Sequence, residues 1–82
     1  MKYYVITFLV ESQDYESYVT VAKVKQNLES AKQSLKEIIE LEIENLEKNE
    51  SYYDIENYDN KAVITVDGDR EVYTIEIQIV DA

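Results

Sequence analysis

The chain has 82 residues, of which 18 are acidic and 8 basic, giving a net charge of −10, and it contains neither cysteine nor histidine. This composition excludes disulfide cross-links, thiolate metal sites and catalysis by histidine. The hydrophobic fraction of 45% is typical of a folded protein, and we expect a single domain spanning residues 1–82.

Two strands are predicted in the first part of the chain. Tyr3–Val10 and Tyr18–Ala22 are rich in β-branched and aromatic residues, and the polar residues between them are typical of a turn. The pattern predicts a β-hairpin. Because both faces of Tyr3–Val10 carry apolar side chains, this strand is either a central strand covered by a loop or part of an interface such as a homodimer.

One helix is predicted from Leu28 to Lys48. Asn27 is a suitable N-cap, since its side-chain oxygen can accept a hydrogen bond from the first turn. At helical spacing six apolar residues form one stripe: Leu28, Ala31, Leu35, Ile38, Ile39 and Leu46. Glu42 falls within that stripe, where it is either a buried acid with a raised pKa or, as we expect near the end of the helix, a side chain that reaches solvent.

The chain after the helix is irregular before it returns to strands. Asn49–Asn60 has neither a helical nor a clean strand period, and we predict an irregular connection there. Ala62–Val66 and Val72–Val80 flank Asp67-Gly68, a strong signal for a hairpin turn with positive φ. The predicted fold is α+β with the order ββαββ, in which one helix packs on one face of a four-stranded antiparallel sheet.

Four acids of the predicted helix form what we call the glutamate stripe: Glu37, Glu40, Glu44 and Glu47. Spacings of three and four residues place these carboxylates along one helix face, where each pair of like charges destabilises the helix by about 0.2–0.5 kcal/mol. The stripe is either a partner-binding surface that stands in for a phosphate backbone or the solvated outer face of an acidic protein.

Tyrosines and acids alternate in what we call the tyrosine–acid segment: Tyr52, Tyr53, Asp54, Glu56, Tyr58 and Asp59. Tyrosine is enriched in recognition surfaces because it offers a large contact area at a small entropic cost, although core packing is an equal alternative for these tyrosines. Tyr73, by contrast, alternates with isoleucines and is expected in the core. The glutamate stripe and the tyrosine–acid segment together are the predicted partner-binding site.

No catalytic pattern accompanies these acids. The sequence lacks a P-loop, a dinucleotide-binding fingerprint, a nucleophile elbow and a zinc pattern, and its one glycine, Gly68, lies in the predicted hairpin turn. We therefore expect no enzyme, no cofactor and no metal site. The N-terminal apolar run is too short to span a membrane and has no small-residue cleavage site, so a cytoplasmic protein is expected.

In its whole-chain profile the sequence resembles the small acidic proteins that phages and mobile elements encode to inhibit host defence, including anti-CRISPR proteins and DNA mimics. The glutamate stripe and the tyrosine–acid segment are the residues that carry this resemblance. It implies a stoichiometric inhibitor in the host cytoplasm that blocks the basic groove of a nucleic-acid-binding protein or nuclease, without binding nucleic acid or membranes itself. The charge is uneven, because residues 1–36 hold five lysines and four acids whereas residues 37–82 hold fourteen acids and three basic residues, so any mimicry belongs to the second half.

A different class of function fits the same composition. A small structural or adaptor protein, dimerised through its first hairpin, would use its acidity only for solubility.

Overall fold

The computed structural model describes all residues, 1–82, as one helix on a five-stranded sheet. The elements, in chain order, are β1 (Lys2–Ser12), β2 (Tyr18–Lys25), α1 (Leu28–Lys48), β3 (Tyr53–Asn57), β4 (Lys61–Val66) and β5 (Glu71–Asp81). The strand order is β2-β1-β5-β4-β3, and all neighbours are antiparallel. The predicted α+β class is confirmed, whereas the four-stranded ββαββ order is wrong, because the order is ββαβββ.

The additional strand is β3, which lies within the segment predicted to be irregular. It pairs with β4 so that Ile55 lies opposite Ile64, and it forms the edge of the sheet. Only two of its five residues, Tyr53 and Ile55, are apolar, so its alternation is too short to identify a strand from sequence. Pairing with β4 stabilises β3 despite its weak apolar pattern, because the antiparallel ladder provides hydrogen-bond partners for the backbone groups on one side of β3.

Helix α1 begins and ends where the sequence predicts. The Asn27 side-chain oxygen accepts hydrogen bonds from the backbone N–H groups of Glu29, at 2.8 Å, and Ser30, at 3.1 Å. These bonds satisfy donors that have no partner within the first turn. Past the C-terminal end, Glu50 has a positive φ of 57°, which turns the chain back towards β3. The helix does not combine the length and apolarity needed to cross a membrane.

The β4–β5 hairpin forms around the predicted turn. Asp67 and Gly68 both have positive φ, 50° and 70°, as the Asp-Gly signal requires. This turn contacts the tip of the β1–β2 hairpin, where Arg70 forms an ion pair with Asp14 at 2.8 Å and the backbone N–H of Gln13 donates to the carbonyl of Arg70. The two hairpin tips therefore close one end of the sheet together.

The core lies between α1 and one face of the sheet. Its buried cluster comprises Ile6, Ala31, Leu35, Leu46, Ile64, Val66, Ile75 and Ile77. At its margin the rings of Phe8 and Tyr73 contact each other with centroids 5.4 Å apart, so Tyr73 packs against the core as its pattern predicts. The helix lies over β2, β1 and β5, and this placement leaves a groove between α1 and the edge strand β3.

Strand β1 is central, between β2 and β5, and the helix-free face of the sheet is not covered by a loop. On that face Val19, Val21 and Val24 of β2 are more than half exposed, next to the partly buried Val5 and Leu9 of β1. The central position of β1 agrees with one part of the expectation, but no loop covers its helix-free apolar side chains, so an interface on that face stays a prediction.

Candidate functional site

The glutamate stripe lies on the solvent side of α1, with Glu40 at its margin, where it also lines the groove between α1 and β3. All four residues are exposed, because at about 100° per residue they lie roughly 100–180° around the helix from Leu35 and Leu46, which face the core. One intramolecular hydrogen bond reaches them, from the Gln33 amide nitrogen to the Glu37 carboxylate at 3.1 Å. The two ion pairs of the structure, Lys32–Asp59 and Arg70–Asp14, do not involve the stripe. None of its four carboxylates is therefore held in an ion pair within the chain.

The tyrosine–acid segment is divided between the two faces of the sheet. Asp54 and Glu56 alternate with Tyr53 and Ile55, which pack towards the helix, so the two carboxylates point to the helix-free face. Both are exposed. The structure thus brings these acids to the side of the sheet opposite to the glutamate stripe, and the ten predicted site residues do not form one continuous surface.

The three tyrosines of this segment have different environments. Tyr53 packs against the core, whereas Tyr52 is 84% exposed and Tyr58 is 55% exposed. The Tyr58 hydroxyl donates to the Glu56 carboxylate at 2.6 Å, and this hydrogen bond, together with the carboxylate charge, raises the pKa of Tyr58. Tyr52 and Tyr58 are accessible to a partner, and Tyr53 has a structural role.

A groove of about 400 Å³ lies between α1 and β3. Its apolar lining consists of Leu35, Ile39, Ile43 and Ile55, and its polar lining consists of Lys32, Lys36, Glu40, Asn57 and Asp59. Lys32 and Asp59 approach each other to 3.7 Å across one end. The sequence pattern does not reveal the groove because it does not reveal β3, although Ile43, an apolar residue that flanks the core-facing side of the helix, is a usable signal.

A second acidic group lies on the helix-facing side of the sheet. Burial, and secondarily the charge of Glu71, raises the pKa of Glu42, which is half-buried and does not extend freely into solvent. The Tyr15 hydroxyl donates to the Glu71 carboxylate at 2.7 Å. Burial, and then the charges of Glu71 and Glu42, raises the pKa of Tyr73 to about 12. These four side chains form a coupled network beside the core, outside the predicted site.

The carboxylates do not gather into a group of three that could hold a metal ion. No protein-family model, curated protein or solved structure matches this chain significantly.

Proposed function

We propose that this chain is an acidic interaction module that binds the basic groove of a nucleic-acid-binding protein and inhibits it by occupying that groove. The glutamate stripe is the binding surface. Lysines and arginines of the partner pair with its carboxylates in place of nucleic-acid phosphates.

One observation carries this proposal, namely four exposed carboxylates on one rigid element with no cation of the chain in ion-pair distance. At a rise of about 1.5 Å per residue, the stripe from Glu37 to Glu47 extends about 15 Å, with carboxylates every ~5 Å. Neighbouring like charges destabilise the helix by about 0.2–0.5 kcal/mol per pair. A basic partner removes this repulsion on binding, so the same charges that weaken the free helix strengthen the complex.

The mechanism has a long-range and a short-range part. The net charge of −10 attracts a basic surface over a distance set by screening, about 8 Å at physiological ionic strength. Contact then depends on local fit, to which Tyr52 contributes an exposed aromatic ring just beyond the C-terminal end of α1. Charge therefore governs the association rate, and the surface around the helix governs selectivity.

The test compares two charge-reversed variants with equal net charge. Glu44→Lys with Glu47→Lys alters the stripe, and Glu11→Lys with Glu16→Lys alters two exposed acids of the β1–β2 hairpin, outside both the stripe and β3. Each protein is immobilised and used to capture proteins from a bacterial lysate, and the captured proteins are then titrated with salt and with duplex DNA or RNA.

We expect the wild type and the first-hairpin control to capture the same basic nucleic-acid-binding protein, which salt and nucleic acid release. The stripe variant is expected to bind it at least tenfold more weakly. If both variants bind equally well, or if binding does not respond to salt, the stripe is only a solvated face. The adaptor function, with acidity serving solubility, would then explain the chain better.

A further inference from the structure

The outer edge of β3 has free backbone groups whose direction follows from its pairing with β4. The N–H of Tyr58 donates to the carbonyl of Lys61 at 2.8 Å, and the N–H of Asp67 donates to the carbonyl of Tyr52 at 2.8 Å. In an antiparallel ladder, alternate residues point their backbone groups at the same neighbour. The even-numbered residues of β3 therefore bond to β4, and Tyr53, Ile55 and Asn57 direct their N–H and C=O groups outwards.

The side chains of β3 divide in the same alternation. Ile55 and Asn57 line the groove against α1, whose apolar floor includes Ile39 and Ile43. Asp54 and Glu56 are exposed on the other face. An added strand would thus meet Ile55 and the other apolar side chains of the groove on one face and two carboxylates on the other.

From this arrangement the geometry points to β3 as a docking edge for an extended segment of a partner protein in which apolar and basic residues alternate. The residue opposite Ile55 inserts an apolar side chain into the groove, and its two neighbours place Lys or Arg beside Asp54 and Glu56. Backbone hydrogen bonds to Tyr53, Ile55 and Asn57 hold the strand, as in other cases of strand addition to a sheet edge.

Complementary charge decides in favour of this occupant. Opposite charges directly across two strands stabilise their pairing, and like charges destabilise it. An acidic or neutral segment would leave the negative charges of Asp54 and Glu56 without an opposite charge, on a chain of net charge −10. The inference rests on the proposed function for the basic character of the partner, but the surface that it concerns shares only Glu40 with the glutamate stripe.

The experiment uses two amidated, fluorescently labelled peptides of equal composition. The alternating peptide is Lys-Val-Lys-Val-Lys-Val-Lys, and the block peptide is Lys-Lys-Lys-Lys-Val-Val-Val. Fluorescence anisotropy with the full chain measures their affinities. We expect the alternating peptide to bind at least tenfold more tightly, because both peptides have the same charge but only one matches the alternation of β3.

Asn57→Pro provides the sharpest variant, since proline removes an outward N–H without removing a hydrogen bond to β4. Asn57 is exposed, so the core is unaffected, and Asn57→Thr is the matched control that keeps the N–H. We expect Asn57→Pro to bind the alternating peptide at least tenfold more weakly than Asn57→Thr, since the two variants both lack the asparagine side chain and only the proline lacks the N–H.

A measurement on the wild type keeps the inference falsifiable even if Asn57→Pro does not fold. Amide hydrogen exchange should slow at Tyr53, Ile55 and Asn57 when the alternating peptide is added, while the amides already bonded to β4 change little. Equal binding of the two peptides, or protection without this alternation, would overturn the docking edge. If the protein without peptide instead self-associates, and Asn57→Pro abolishes this self-association, the β3 edge is assigned to a second copy of the chain. That result would also overturn the docking of a partner segment.

The two proposals fail separately. The stripe variant with Glu44→Lys and Glu47→Lys leaves the groove lining intact, and we expect it to keep the preference for the alternating peptide. If that variant no longer captures the protein but still prefers the alternating peptide, the result supports both the stripe as a binding surface and β3 as a docking edge. Loss of peptide preference in the wild type overturns the β3 edge without affecting the stripe.

Discussion

Truncation of two isoleucines on the same face of β5 is expected to have very different effects on stability. Ile75 is fully buried and lies between Phe8 of β1 and Ala62 of β4, whereas Ile79 is 57% exposed. Ile75→Ala removes three carbon groups at about 0.8 kcal/mol each, or about 2.4 kcal/mol, before the cavity is counted. With the cavity we expect a loss of about 3–4 kcal/mol. Ile79→Ala is expected to lose less than about 1 kcal/mol.

These losses are large relative to the stability of a domain this small. At about 0.05–0.15 kcal/mol per residue, 82 residues give a free energy of unfolding of roughly 4–12 kcal/mol. Urea unfolding followed by circular dichroism is the assay, with an m-value of about 1 kcal/mol/M converting the Ile75→Ala loss into a midpoint shift of about 3 M. Ile75→Val, which removes one methyl group, should lose about 1 kcal/mol. Equal losses for Ile75→Ala and Ile79→Ala would refute a core centred between α1 and the middle of β5.

Two further predictions concern the helix. Asn27→Ala removes the N-cap acceptor and should lower the free energy of unfolding, measured in thermal melts, by about 1 kcal/mol. Asn27→Ser should keep most of the stabilisation by the cap, because serine also accepts from the first turn. An unchanged melting temperature for Asn27→Ala would contradict the role of Asn27 as the cap. Glu42→Gln should stabilise the protein at pH 7, because burial and Glu71 raise the folded-state pKa of Glu42 and its ionised form is therefore disfavoured in the fold. A group whose pKa is raised in the folded state stabilises the fold at pH values below its unfolded-state pKa, and this stabilisation is lost as the pH rises. At pH 7 the free energy of unfolding in urea should therefore be higher for Glu42→Gln than for the wild type, by under about 1 kcal/mol because the side chain is half-exposed. This difference should close as the pH falls towards 4. A wild type at least as stable as Glu42→Gln at pH 7 would contradict this.

The helix and the second hairpin were predictable because local chemistry alone specifies them. Asn27 caps α1 with its own side chain, and Asp67-Gly68 adopts positive φ without help from distant residues. The alternation of apolar residues in β5 was likewise visible in the sequence, but the sequence did not show which of these residues are buried. Tyr73, Ile75, Ile77 and Ile79 alternate uniformly, yet only Ile75 and Ile77 are buried, because burial depends on how the other elements pack over each position of the strand.

Strand β3 and the groove were not predictable because they depend on contacts between residues that are distant in the sequence. Five residues with two apolar side chains carry too little pattern, and the strand exists because β4 offers a free edge. Sequence reasoning therefore grouped Asp54 and Glu56 with the glutamate stripe as one acidic site. Their separation depends on strand register, since a shift of one residue would move both carboxylates to the helix side.

The division of charge between the two faces restricts how one partner can reach both. The glutamate stripe faces solvent above the helix, while Asp54 and Glu56 face solvent below the sheet. A flat basic surface that covers the stripe cannot contact those two acids, because the sheet lies between them. A partner that contacts both has to pass around an edge, and β3 is the edge that carries Asp54 and Glu56. The groove between α1 and β3 and the outward backbone groups of β3 lie on that same path. A basic segment that extends from a partner bound to the stripe would therefore meet the stripe, this groove, and then Asp54 and Glu56.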